Sequence, residues 1–228
     1  MPKKWTIRYK EVDEPINEHV TKFGGQPVWV DDIQWPISRR GGFPMRFLCQ
    51  IRLENYMFPS VKARMAYVFM TDDYDNYIDF TWEPDGGENA VILQPGGSSI
   101  VETKEIVDGP SLTKSVKIPG EKYLRQKPCE FAVELIEEDD IEFVSIDSLG
   151  DISDEEYDEF YDRDTPYQTK IGGSPFFMKD EEFPFEVPTA LLMQLDENAA
   201  PFTLNFAGGI GMVFLSKDGD CAKMLLQY

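Results

Sequence analysis

His19 is the only histidine in the chain. A Ser-His-Asp or Cys-His machine would therefore depend on it, yet it sits ahead of the first glycine turn with no motif around it. The three cysteines are Cys49, Cys129 and Cys221. Their odd number and wide spacing exclude a disulfide framework and a CxxC metal clip. A zinc site takes several Cys or His ligands, more than this chain supplies, so no metal or cofactor is expected. Carboxylates are abundant, but acid–base work needs two whose surroundings push their pKa values apart, and spacing singles out no such pair. Asp72, Asp73, Asp75 and Asp79 cluster after an apolar run. A hairpin loop accounts for them, with a weak cation site as the alternative. A calcium loop counted from Asp151 fails at its sixth position, where Glu156 stands in place of glycine. No catalytic residue is assigned, and a non-enzyme is the favoured expectation.

The elements that position these residues announce themselves through a repeat. Lys22-Phe23-Gly24-Gly25-Gln26-Pro27-Val28-Trp29 is answered by Lys170-Ile171-Gly172-Gly173-Ser174-Pro175-Phe176-Phe177, 148 residues on, and Trp35-Pro36 by Phe183-Pro184 at the same offset. Self-similarity at a fixed offset marks one structural unit built twice. Three apolar runs follow each block. Phe47–Ile51, Tyr67–Met70 and Val91–Gln94 match Leu191–Leu195, Met212–Leu215 and Met224–Gln227. Runs this short, bounded by Gly, Pro, Asp and Asn, are strands. A strand also precedes each block: Trp5–Tyr9 alternates apolar and polar, and Phe131–Leu135 is its counterpart. Short strands are expected over Ser99–Thr103 and Ser115–Ile118.

The fold expected is α+β, mainly antiparallel β, an internal duplication of a β-rich unit with few helices, compact over residues 1–228. Copy one covers about 1–97, connecting strands 98–130, and copy two 131–228, with an acidic helical insertion at 138–166.

Two consecutive glycines admit positive φ, and the proline two residues on favours a turn or strand start. One reading is a glycine-cradled phosphate with Lys22 and Lys170 supplying charge. That needs amides converging at a helix N-terminus, and no helix-forming stretch follows either turn. A structural corner of the β unit is the stronger reading.

The net charge is −20, with 42% hydrophobic and 13% aromatic residues. The composition supports a core, and no run reaches the ~20 apolar residues of a membrane span. With no apolar leader at the start, a cytoplasmic protein is expected. The acidity is local. Residues 134–164 hold fifteen acids and one base, Arg163. Ser153 with Glu156 forms a capping box there, and Tyr157, Phe160 and Tyr161 share a helix face. A solvated acidic helix is the simpler reading, a dock for a basic protein the sharper one. Duplex nucleic acid is a poor partner for such a chain.

The aromatics and glutamines at matched positions are the better functional clue. Trp29, Trp35, Phe177 and Phe183 would hold a peptide if they lined a cleft between copies. Gln50, Gln194, Gln94 and Gln227 stand in apolar runs and must find hydrogen bonds if buried. They would bond the neighbouring copy's backbone or present amides to an extended peptide. Core packing is the competing account for each.

The pattern K-x-G-G-x-P-x-[WF], then [WF]-P, [FL]-L-x-Q-[IL], a Val-Phe strand and a closing Leu-Gln resembles the YwqG-like family, a bacterial domain of unknown function. The resemblance spans Lys22–Gln94 and Lys170 to the C-terminus. Phe177 and Phe183 depart from tryptophan, and Asn205–Gly209 stands where a Trp-Gly-Asp type of element is expected. The resemblance implies a duplicated β-rich protein with no established enzymatic activity. It also implies a distant similarity to the programmed-cell-death-protein-2 family, which escorts a ribosomal protein, though its zinc-binding cysteines are absent here. Some relatives lie beside toxin genes, which implies immunity. Both settings involve a client that is often basic. The expectation is a non-enzymatic protein- or peptide-binding module, chaperone-like or immunity-like, with a basic protein client and no membrane; the sequence assigns no oligomeric state. The rival is an enzyme or small-molecule binder using carboxylates in a cleft between copies, with Asp72, Asp73 or Glu182 at its pocket.

Overall fold

The structure, a computed structural model, describes residues 1–72, 80–97, 99, 101–145 and 169–228. Their regular structure is almost wholly extended. The strands are β1 (Lys3–Glu11), β2 (Lys22–Gly24), β3 (Trp35–Pro36), β4 (Arg46–Arg52), β5 (Met65–Met70), β6 (Asn89–Gln94), β7 (Thr103–Lys104), β8 (Thr113–Val116), β9 (Arg125–Pro128), β10 (Glu130–Asp139), β11 (Lys170–Gly172), β12 (Leu191–Asp196), β13 (Ile210–Leu215) and β14 (Ala222–Gln227). The one helical turn among the described residues is a 3-10 turn, Glu197–Ala199, whose first amides are met by the Asp196 carboxylate accepting from Asn198 N–H. Of the acidic helical insertion expected at 138–166, Glu138 and Asp139 instead close β10 and 140–145 carry no helix, while 146–166 lie outside the described residues, as do Asp73, Asp75, Asp79 and Ile100. The described chain is thus mainly antiparallel β, and the helical part of the expected α+β class rests on that one segment.

Ten strands form one antiparallel sheet in the order β14-β13-β12-β11-β1-β10-β2-β4-β5-β6. Its outer strands come back together: β14 packs beside β6, and Leu226 N–H donates to Trp82 C=O at 3.2 Å. The sheet is a nearly closed, barrel-like ring. Closure of this kind shields strand edges that would otherwise template pairing with other chains. At its centre β1 and β10 run antiparallel from Lys3↔Asp139 to Glu11↔Phe131. Each then serves the other's side. β1 pairs β11, while β10 pairs β2.

Alternation along the strands sorts side chains onto two faces. On β5, Ala66, Val68 and Met70 point into the ring's core, with Leu48, Val91, Leu192, Val213 and Met224 from the neighbouring strands. Met65, Tyr67 and Phe69 point outward and join Trp35, Met45, Phe47 and Ile92. Across the ring Leu191, Ile210, Met212, Phe214 and Leu225 do the same with Phe177. Strands buried on both faces read as continuous apolar runs, which is why β4–β6 and β12–β14 show no clean polar alternation. A fully buried side chain of this size contributes about 1.5–3 kcal/mol. A register shift interrupts β4 between Phe47 and Cys49, and another interrupts β12 between Leu191 and Met193.

The connecting region departs from expectation in register. In place of Ser99–Thr103 and Ser115–Ile118 stand β7, which pairs β3 through Trp35↔Lys104, and the β8–β9 hairpin. Among the described residues no helix is long and apolar enough to cross a membrane.

Candidate functional site

The glycine turns are built around carboxylates. Gly24 and Gly25 have φ of 70° and 64°, and Gly172 and Gly173 of 66° and 76°, a region that L side chains rarely adopt. A Cβ on Gly25 would lie 2.3 Å from the Glu130 carboxyl carbon, and one on Gly173 would lie 2.2 Å from Asp140 Oδ2. Glycine is therefore required twice over, for conformation and for room. Lys22 Nζ donates to Glu130 Oε1 at 2.6 Å and to Ile16 C=O at 2.9 Å. Lys170 Nζ donates to Asp140 Oδ2 at 2.7 Å, and the Ser174 amide donates to the same oxygen at 2.9 Å. The phosphate reading of these turns is answered here: the anion beside each lysine is the chain's own carboxylate.

Glu130 opens β10 and Asp140 directly follows its last residue, so the two ends of one strand bring a carboxylate to each lysine. Burial lowers the pKa of Lys22, and Glu130 partly offsets it. Burial also lowers Lys170, against the opposing pull of Asp140. For Asp140, burial acts to raise the pKa. The Lys170 hydrogen bond and charge, the Ser174 amide and the Lys4 charge outweigh it and hold the carboxyl below its usual range.

The four glutamines make one kind of contact. Gln50 Oε1 accepts from Val28 N–H at 2.8 Å, and Gln194 Oε1 from Phe176 N–H at 3.0 Å. Gln94 Oε1 accepts from Asp31 N–H, and its Nε2 donates to Asp32 C=O at 2.7 Å. Gln227 Oε1 accepts from Met178 N–H, and its Nε2 donates to Asp180 C=O at 3.0 Å. Each pair holds the extended segment that follows its own glycine turn. The expectation that they reach the neighbouring copy's backbone is corrected: the partner backbone is on the same side of the ring. Tyr67 adds to the first clamp, donating to Val28 C=O at 2.7 Å and accepting from Val30 N–H.

The aromatics are cargo of the same clamps. Trp29 packs on Tyr67 at 4.5 Å between ring centroids, and Trp35, fully buried, meets Phe69 at 5.3 Å. Phe177 and Phe183 lie 5.1 Å apart and both contact Phe214. All four cover the outer faces of opposite sides of the ring. Among the described residues they line no cleft between the two sides.

The groups with catalytic potential are dispersed. His19 Nε2 lies 3.1 Å from Trp29 C=O at the surface. Burial pushes the Cys49 thiol far up and Cys129 up to about 11, which suits inert thiols. The Asp72 side chain is buried against Arg46, with Nη2 2.7 Å from Oδ2 but without the alignment of a hydrogen bond. Glu182 is exposed. Fully buried Glu88, unmarked by any sequence signal, accepts from Ser38, Thr71 and the Arg40 amide. Among the described residues no group of three or more His, Cys, Asp or Glu is placed to hold a metal ion.

A groove does join the two sides, elsewhere than expected. A cavity of about 280 Å³ opens between the β4–β5 loop, at Met57, Phe58 and Val61, and the far side's Pro188, Thr189 and Leu215. The Thr189 hydroxyl is buried there with no hydrogen-bond partner. A second cavity of about 440 Å³ shares Gly219 with the first and is rimmed by Lys62, Asp218 and Asp220. Apolar walls with a few polar groups are the usual makeup of a binding site. These residues lie in loops of unlike sequence, so the repeat did not point to them.

No curated protein matches the chain significantly. One family's sequence model matches residues 21–219, from just before the first glycine turn to the β13–β14 turn. The chain therefore belongs to the family described as a domain of unknown function, DUF1963.

Proposed function

We propose that this chain is a non-enzymatic protein-binding module, chaperone-like or immunity-like. It acts in the cytoplasm, and its seam groove holds an extended segment of a basic protein client. The observation that carries this reading is the groove itself: apolar walls contributed by both sides of the ring, with Lys217 in its lining and with Asp218, Asp220 and Lys62 around the adjoining cavity. Apolar side chains of a client enter the walls, and its lysines or arginines meet the rim. A chain of net charge −20 steers a basic client on approach. The same reading includes an internal duplication and kinship with the YwqG-like proteins. Paired register shifts, paired lysine–carboxylate turns and paired glutamine clamps support the duplication.

The rival occupant is a small molecule, favoured by the unpartnered Thr189 hydroxyl. Calorimetric titration separates the two. A peptide of alternating lysine and leucine is expected to bind the wild type at low salt and to lose affinity on Asp218→Lys, a change at an exposed position. Equal affinity for wild type and variant rules out the groove as the site.

A further inference from the structure

The β8–β9 hairpin is opposite in character to the body that carries it. From Thr113 to Pro128 it holds five lysines and arginines against one acid, Glu121. Glu121 is already taken, accepting from Arg125 Nε at 2.6 Å. The hairpin's base is fixed in the core: Leu112 is fully buried, and Cys129 N–H donates to Leu112 C=O. Beyond that base every residue from Thr113 to Pro128 is half-buried or exposed. Polar contacts hold it: Gln126 bonds Thr113 and Ser115, Lys117 Nζ donates to Glu121 C=O, Thr203 donates its amide to Thr113 C=O and its hydroxyl to Gln126 Oε1, and Lys114 pairs with Glu11. At its end Tyr123 is 72% exposed and Leu124 59% exposed. Every residue of β9 is exposed. The small sheet has only these two strands, so the far edge of β9 carries no partner strand among the described residues.

We infer that this hairpin docks an acidic, extended segment of another protein, which adds as a third strand along β9. An open edge offers unpaired N–H and C=O groups that a polypeptide strand satisfies. Lys127, and Arg125 on exchanging its exposed ion pair with Glu121, supply complementary charge to glutamates or aspartates on that strand, and Tyr123 and Leu124 anchor its end. Tyrosine and arginine are residues in which interface energy concentrates. A long polyanion or a flat anionic bilayer would have to lie against the body, whose charge is strongly negative. A short acidic strand is confined to the hairpin.

The test uses the full chain and a fluorescein-labelled ten-residue peptide of alternating glutamate and valine, read by anisotropy at low salt. Saturable binding is expected. Arg125→Glu with Lys127→Glu, both exposed, should weaken it at least tenfold. N-methylation of alternate peptide amides, which keeps the charge and blocks strand pairing, should do the same. Asp218→Lys should leave it unchanged, which separates this site from the groove. Absence of saturable binding, an undiminished affinity with either change, or tighter binding of poly(U) or phosphatidylserine vesicles would overturn the inference.

Discussion

Lys22 Nζ lies 2.6 Å from Glu130 Oε1, a contact between residues 108 positions apart. It is repeated across the ring by Lys170 and Asp140 at 2.7 Å. Glu130 opens β10, and Asp140 directly follows its last residue. The strand that binds the two sides together is therefore also the strand that neutralises their buried lysines.

Removing one partner leaves the other buried and uncompensated. Asp140→Ala is expected to destabilise the fold by about 3–5 kcal/mol. Lys170→Met alone should cost a similar amount, and the double variant much less than the sum. Urea unfolding of the four proteins measures the coupling. Additive losses would mean that the pair is not an energetic unit.

The two requirements on the glycine turns can be separated. Gly173→Ala meets both positive φ and the Asp140 carboxylate, whereas Gly120→Ala meets positive φ of 86° in open space. Gly120→Ala should cost about 1 kcal/mol, as a single strained backbone position does. Gly173→Ala should cost more, because a neighbour must move as well. Thermal unfolding of both variants checks the order.

Each glutamine clamp is a set of partly buried hydrogen bonds between a buried side chain and an extended backbone. Gln50→Leu leaves the Val28 amide and the Val20 carbonyl, its nearest acceptor at 2.8 Å, without their partner. An orphaned buried group costs about 1–3 kcal/mol. Native-state hydrogen exchange should show the Val28 amide released ahead of the core amides of β5. Unchanged protection at Val28 would remove the clamp from the account.

Asp140 sets the acid limb. Its folded pKa lies below the usual aspartate value, so the unfolded chain binds the proton first. The stability it contributes is fully present above the unfolded pKa, about 4, and is lost as pH falls through the lower folded value. Asp140→Asn should flatten the stability–pH curve over that acid window and leave its slope near neutrality unchanged. Denaturant midpoints from pH 2 to 7 test this.

Much of the ring was legible in the sequence. The repeated block and the apolar runs located β2, β4, β5 and β6 and their counterparts β11 to β14, because side chains buried on both faces leave continuous apolar runs. The exchange of β1 and β10 was not legible. Strand partners are chosen by tertiary packing, and nothing local to Trp5 or Phe131 says which glycine strand it will join. For the same reason the counter-ions of Lys22 and Lys170 were hidden, since Glu130 and Asp140 lie outside the repeated block. The glutamines were marked by position, but the peptide they hold is the chain's own. The groove was invisible because it forms from loops of unlike sequence brought together only when the ring closes.

The most direct test of the proposed function is comparative co-purification from the native cell at low salt. The wild-type chain, Asp218→Lys, and a control bearing Lys62→Glu on the same rim are each quantified by mass spectrometry. The account predicts a basic protein retained by the wild type, depleted at least tenfold with Asp218→Lys and retained or enriched with Lys62→Glu. Equal recovery of that protein on all three, or retention of acidic proteins only, would contradict it.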